Sequence, residues 1–435
     1  HGHLSQTHRD AQARPLASMT GTMTPYPLFA VYGIEIEYMI VDRERLAVLP
    51  VTDQILKKVA GAYVSDYEDG PIAWSNELVL HVMELKSNGP VTDLAGLPDR
   101  FLSSIRHVNA ILENMNGILM PTAMHPLMDP RHETRLWPHE SSEIYDTFNR
   151  IFDCRGHGWS NLQSMHVNLP FADDREFARL HAAIRILMPI MPALAASSPV
   201  MEGNFTGLMD TRLETYRKNS AQFPIITGQV IPEPVRTLDE YREKILQPMY
   251  QAIAPYDPAG NLQHEWLNAR GAITRFERNT IEVRVLDTQE CPLADMAVAS
   301  MVTGALKFLV SEQWSTLEQQ LAFSTPALAR LFLDNVRHAE QAVIRDKDYL
   351  KLFAFPDKQC EAHELWQYLL ESGTAQGNQP AAEILAALKT ILAEGTLARR
   401  ICTAIGRDMR KTRLEETYRR LCQCLAAGEL FTGFD

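Results

Sequence analysis

From Val31 to Val41 the sequence alternates without interruption: Tyr32, Ile34, Ile36, Tyr38 and Ile40 are apolar, and Glu35 and Glu37 sit between them. Successive side chains of a strand point to opposite faces, so this stretch reads as one strand with an oily face and an acidic face. Taken alone, two carboxylates ~7 Å apart along a strand suit a sheet face open to water as well as they suit a cavity. Two further segments repeat the design. In Ser164–Leu169 alternation puts Ser164, His166 and Asn168 on one face, and in Thr280–Val285 it sets Glu282 with Arg284 opposite Ile281, Val283 and Val285. Each strand offers an apolar row to a core and a row of chemically capable groups to the other side, which predicts a sheet curled around a polar site.

A fourth segment, Asn76–Leu85, carries Glu77 and Glu84. Seven positions is an odd spacing, so one regular strand cannot show both on the same face. Either a bulge intervenes or Glu77 belongs to the loop before the strand.

With 435 residues, 46% apolar and 22% charged, the chain can bury a large core as one big domain or two. Its 54 acidic against 42 basic residues, net −12, supply no global positive field for nucleic-acid phosphates. The six cysteines include no C-x-x-C pair, which argues against a zinc knuckle or a disulfide framework and fits reduced thiols in a cytoplasm. The longest apolar run, Ile186–Ala196, holds two prolines and spans 11 residues, short of the roughly 20 that cross a bilayer. No nucleic-acid or membrane partner is expected.

Residues 1–27, polar and unpatterned with His1, His3 and His8, read as a disordered arm. Residues 28–325 hold the patterned strands, and 326–435 read as a helical region packed on them. Helices are expected near Asp53–Ala60, over Asp93–Asn116 and from Asp174 to Ala196, where Ser197-Ser198-Pro199 ends the last. The acidic segment Ser65–Gly70 reads as a solvated loop, and Gly117–Thr122 as a short strand. His125, His132 and His139 match no metal-ligand spacing and read as surface groups. Towards the C-terminus, helices are expected over Pro292–Leu321, Pro326–Asp346, Ala362–Glu371, Pro380–Glu394 and Ala398–Ala427, with a linker at Gly373–Gln379 and the late arginines on a solvated face. The loop Met201–Gly207, followed by Arg212 and Arg217, suits an anion because guanidinium forks bind phosphate or carboxylate. A surface ion pair with Glu214 is the plainer alternative.

Taken together, Gly33–Tyr38, Glu84 in its hydrophobic strand, His166-Val167-Asn168, the segment Ser197–Gly203 with Arg212 and Arg217, and Thr280–Asp287 resemble the family-2 glutamate–cysteine ligases and related carboxylate–amine ligases. The likeness covers residues 30 to 310. It implies an α+β, glutamine synthetase-like fold: a curved antiparallel sheet forming an open barrel around the active site, flanked by helices, with a helical C-terminal region. It also implies ATP with Mg2+ or Mn2+, a cytoplasmic enzyme of glutathione biosynthesis, and small-molecule substrates; a homo-oligomer is compatible with it. Metal ligands carried over are Glu35, Glu37, Glu77, Glu84 and Glu282. Arg284, Glu84 and His166 are the implied catalytic groups. Glu35, His166, Arg275 and Arg284 are placed at the nucleotide, and Arg212, Arg217 and Glu77 at the substrate. One departure touches specificity, since Lys218–Pro224 lacks the tryptophan common in the family at that loop.

Elementary chemistry leads the same way. Five carboxylates converging on one cavity repel unless divalent cations neutralise them. Oxygen ligands select hard ions, and magnesium is commonly held by a few carboxylates together with nucleotide phosphates. A carboxylate is a poor electrophile towards an amine, and phosphorylation supplies the leaving group. The expected reaction is therefore ATP-dependent acyl phosphate formation on a carboxylate followed by amide formation with an amine; the resemblance implies the side chain of glutamate as the carboxylate and an amine such as cysteine. Two other classes share the acidic cavity: a guanidino-kinase-like phosphotransferase and a ligand-binding relative without turnover.

Overall fold

The computed structural model describes residues 25–434, so the expected arm, apart from residues 25–27, lies outside the described residues. Ten strands lie between residues 33 and 287. They are β1 (Gly33–Asp42), β2 (Asp66–Asp69), β3 (Ile72–Asn76), β4 (Val82–Ser87), β5 (Gly117–Met120), β6 (Ser164–Pro170), the short pair β7 (Val200–Met201) and β8 (Asn204–Phe205), then β9 (Ala272–Arg275) and β10 (Thr280–Asp287). Eight form one antiparallel sheet in the order β2-β3-β4-β1-β6-β10-β9, with β5 continuing beside β1. β2 and β9 are its two ends, so the sheet is open.

The alternation read from β1 holds. Ile34, Ile36, Tyr38 and Ile40 are fully buried in the main core, as are Met83 and Leu85 of β4, Met165 and Val167 of β6, and Ile281 and Val283 of β10. Against this face pack Leu97–Glu113, Asp174–Leu187 and Pro292–Val310, helices whose apolar stripes the rows of the sheet complement. The opposite face of β1 changes character along its length. Beyond Glu35 and Glu37 come Met39 and Val41, which join a second core with Leu397–Ile405 and Lys411–Ala427. The C-terminal helices thus cover the apolar half of this face and leave the acidic half open.

Of the two alternatives for Asn76–Leu85, the loop holds: β3 ends at Asn76 and β4 begins at Val82, so Glu77 lies in the connection. Several other expectations change. The acidic segment expected as a loop is β2, because Tyr67 alternates with the acids and pairs opposite Trp74. His125 is buried rather than superficial; its Nε2 lies against the Leu46 carbonyl and its Nδ1 accepts the Leu127 and Met128 N–H groups. The prolines split the expected 174–196 helix, which runs to Leu187 before a 3-10 turn and the short Pro192–Ala195 helix. The longest apolar segment is Pro292–Val310, long and greasy enough to cross a bilayer by length and composition, but most of it is buried within the fold. Near the C-terminus Gly406, at φ +64, breaks the expected long helix in two. The late basic residues are paired: Arg399 with Glu340, Arg400 with Glu290, Arg410 with Asp408, Lys411 with Glu415 and Arg413 with Glu416.

Candidate active site

A cavity of about 720 Å³ opens on the acidic face of the sheet. Register explains its lining. Glu35 stands opposite Lys86 of β4 on one side and His166 of β6 on the other, Glu37 stands opposite Glu84, and Glu282 opposite Asn168. Directly opposed residues of an antiparallel pair lie ~5 Å apart at Cβ, so the strands alone bring these groups together. Eight carboxylates line the space against three arginines and one lysine.

The five glutamates named from the sequence, with His166, fall into two clusters. Glu35, His166 and Glu282 each offer a ligand atom within 4.8 Å of the others, and so do Glu37, Glu77 and Glu84. The first cluster is wrapped in positive charge. Arg284 Nε donates to Glu282 at 2.8 Å, Arg275 Nη1 donates to the other Glu282 oxygen at 3.0 Å, and Arg278 lies 3.5 Å from Glu35. Burial pushes the Glu282 carboxyl up, but Arg284, Arg275 and His166 outweigh it and hold it well below the usual range. Glu35 is also lowered: burial and Glu282 raise it, and His166 and Arg278 overcome both.

The second cluster has little such relief. Burial, then the facing Glu84, pushes Glu37 up to about 8, and burial with Glu37 pushes Glu77 up to about 8. Glu84 is raised as well, by burial and then by Glu35 and Glu77, although Lys86 sits 3.8 Å away. His166 bridges the clusters. Its Nδ1 is 3.2 Å from Glu35 and 3.4 Å from Glu282, while its Nε2 is 2.8 Å from Ser164 Oγ, which reaches Glu37 at 3.4 Å.

The sequence model of glutamate–cysteine ligase family 2 matches residues 31–423. The chain belongs to glutamate–cysteine ligase family 2. As a member it is a ligase enzyme. An uncharacterized protein of Archaeoglobus fulgidus is 32% identical over 329 residues, 74% of this chain and 87% of that one. A Bradyrhizobium diazoefficiens protein provisionally named glutamate–cysteine ligase 2 is 26% identical over 62% of this chain and 56% of its own length. Among solved structures, the glutamate–cysteine ligase of Francisella tularensis in complex with AMP has the same fold, with a TM-score of 0.60 at 15% identity, covering 93% of this chain and 89% of that one.

Two residues read as substrate binders do not reach the cavity of this family-2 ligase. Arg212 is buried beneath it, its Nε donating to Asp287 at 2.5 Å and its Nη2 to the Arg284 carbonyl. Asp287 also accepts the Ser197 N–H and the Ser198 hydroxyl, so the Ser-Ser-Pro segment and Arg212 clamp the end of β10. Arg217 forks onto Glu214 at 2.9 Å, the plainer alternative. Sequence reasoning missed Arg278, Lys86, Asp66 and Glu68, all of which line the cavity. Lys86 was legible, two positions after Glu84 on the same strand face. Arg278 was not, because it sits in the turn between β9 and β10, where alternation says nothing.

Proposed function

We propose that the protein is an ATP-dependent carboxylate–amine ligase that phosphorylates a substrate carboxylate, the glutamate side chain on the family pattern, and passes the acyl group to an amine such as cysteine. One observation carries the reading: two sets of ligand atoms share one cavity, one already balanced by arginine and the other not. The donors fit hard divalent cations. Glu37, Glu77 and Glu84 present oxygen only, and burial first, then neighbouring carboxylates, raises all three, which is what a site built to be neutralised from outside looks like. Glu35, His166 and Glu282 would hold a second ion.

When bound, Mg2+ or Mn2+ would neutralise nucleotide phosphate charge and orient the terminal phosphoryl group. The remaining work falls to the chain. Arg275, bonded through Nε to Glu265 and through Nη1 to Glu282, has its Nη2 left to meet the oxygens of the transferring phosphoryl group, and Arg284, held by Glu282, the Asn268 carbonyl and Tyr216, adds its charge beside it. With an ion bound, His166 would donate Nε2–H to Ser164 and offer its Nδ1 lone pair to the metal between Glu35 and Glu282; without one, Nδ1–H is placed to donate to Glu35. In the reaction a carboxylate oxygen bonds to the terminal phosphorus as the bond to ADP breaks. The amine nitrogen then attacks the acyl carbon, inorganic phosphate leaves, and the nitrogen gives up a proton. On this reading the open sheet acts as the open barrel, with the cavity at its mouth.

The test is carboxylate-labelled [18O]glutamate with ATP, Mg2+ or Mn2+ and a panel of amines. One label in each phosphate released, with one amide per ADP, is the expected result. Phosphate on nitrogen without amide would make the protein a phosphotransferase, and ADP release indifferent to every amine would end both readings.

A further inference from the structure

A second cavity, of about 250 Å³, lies on the face of the sheet away from Glu35. It is open to solvent on one side and lined by Thr92–Ala95, the helix Pro292–Val310 and the C-terminal helices Ala362–Ala375 and Ala382–Glu394. At ~30 Å³ per water it has room for about eight, or for one molecule of amino-acid size. Its chemistry is divided. Leu94, Met301, Leu370 and Ile384 form an apolar part, and Ser300, Thr303 and Lys307, on one face of their helix by three- and four-residue spacing, form a polar part.

Lys307 is the cation of this cavity. Its Nζ stands 5.8 Å from the ring centroids of Phe29 and of Tyr32, and among the described residues it has no carboxylate within 4.0 Å. The one acid in the lining, Asp93, already accepts the Ala95 N–H at 2.9 Å. Two helical glycines in the lining let Asn378 lie close: a Cβ on Gly304 would come 3.4 Å from Asn378 Nδ2, and one on Gly373 would come 3.2 Å from the Asn378 carbonyl.

The two cavities share a wall. Asn88, Gly89 and Pro90 line the catalytic cavity, and Thr92 to Ala95 line the second. Between them Val91 exchanges two backbone hydrogen bonds with Tyr32, at 2.8 and 3.0 Å, and Tyr32 leads directly into Gly33 and Glu35 of β1.

The geometry points to an effector site: the second cavity binds a small carboxylate with an apolar body, its charge on Lys307, and reports occupancy to the catalytic cavity through the strap 88–95. A ligand there touches Tyr32 and Thr92–Ala95, the two sides of the Val91 bridge, so filling the cavity stiffens the wall that the catalytic site also uses. The use of ATP and Mg2+ to fill the catalytic cavity rests on the proposed reaction, whereas the Lys307 variants test the second cavity by itself.

The probe is benzoate, with benzamide as its uncharged twin, titrated calorimetrically into the full chain with ATP and Mg2+ present so that the catalytic cavity is occupied. Benzoate is expected to bind one to one at about 1 mM or better, and benzamide about tenfold more weakly. Lys307→Met should erase that preference and Lys307→Arg keep it. Ser300→Leu, which narrows the cavity from the next turn, should weaken both and serves if Lys307→Met does not fold. Hydrogen exchange at the Tyr32 and Val91 amides should slow several-fold with benzoate. No binding at about 10 mM, equal affinity for both probes, benzoate affinity unchanged in the folded Lys307 and Ser300 variants, or unchanged exchange in the strap would each overturn the proposal.

Discussion

The two ligand clusters are built from the same side chains and differ in their surroundings. Glu35, His166 and Glu282 lie beside three guanidinium groups, and both glutamates are held ionised. Glu37, Glu77 and Glu84 are relieved less, Glu37 by Arg212 and the Ser164 N–H and Glu84 by Lys86 and His166, and all three are raised. One face of β1 carries both conditions, two residues apart. A buried acid ringed by arginine is part of the fold's own charge balance, whereas buried acids ringed by one another are stabilised by protonation or by a cation from solution. The contrast predicts that removing an acid from either cluster harms catalysis, but that stability moves in opposite directions.

The largest effect is expected from Glu282→Gln. It leaves the half-buried Arg275 and Arg284 without their shared partner, so unfolding free energy should fall by about 3 kcal/mol, with activity reduced by about 10³ or more. Denaturant titration and amide formation measure the two. If stability were unchanged, the first cluster would not be held together by its own charges. Glu37→Gln should lower activity by about 10² to 10³ while raising the melting temperature of the metal-free protein at pH 8. A lower melting temperature would abolish the distinction between the clusters.

The third prediction needs no substitution. An acid whose folded pKa lies above its unfolded value adds stability that is full below about 4.5 and is lost as pH climbs through the folded value, here about 8 for Glu37 and Glu77. The metal-free protein should therefore melt progressively lower from pH 5 to pH 8. Mn2+ should restore the loss most strongly at pH 8, where the ligands are ready to ionise. A metal-induced shift larger at pH 5 than at pH 8 would contradict the assignment. Ser164→Ala frees the His166 ring from its orienting hydroxyl and should cost about tenfold in metal affinity, read by calorimetry. Arg217→Ala, which breaks only the half-buried fork to Glu214, should change activity less than about twofold.

The site was more legible than the chain around it because strand alternation is a local rule that survives folding. Glu35, Glu37, His166, Glu282 and Arg284 were assigned a face from period alone, and the register then set those faces side by side. Glu77 needed the β3–β4 connection to reach Glu84, and Arg278 needed a turn to reach Glu35; neither position follows from a period. Arg212 shows the converse. Its type suggested an anion, but whether a guanidinium meets a ligand or a buried aspartate depends on what packs beneath it, and here Asp287 does.

What the sequence by itself determined was which side of each strand is oily and which carries chemistry, since side-chain direction along a strand depends on neighbours in the chain. Which acids share a cluster, and which of them arginine neutralises, was decided only by tertiary structure. Charge interactions depend on separation through space and on burial, and both arise only when strands distant in the chain are laid edge to edge.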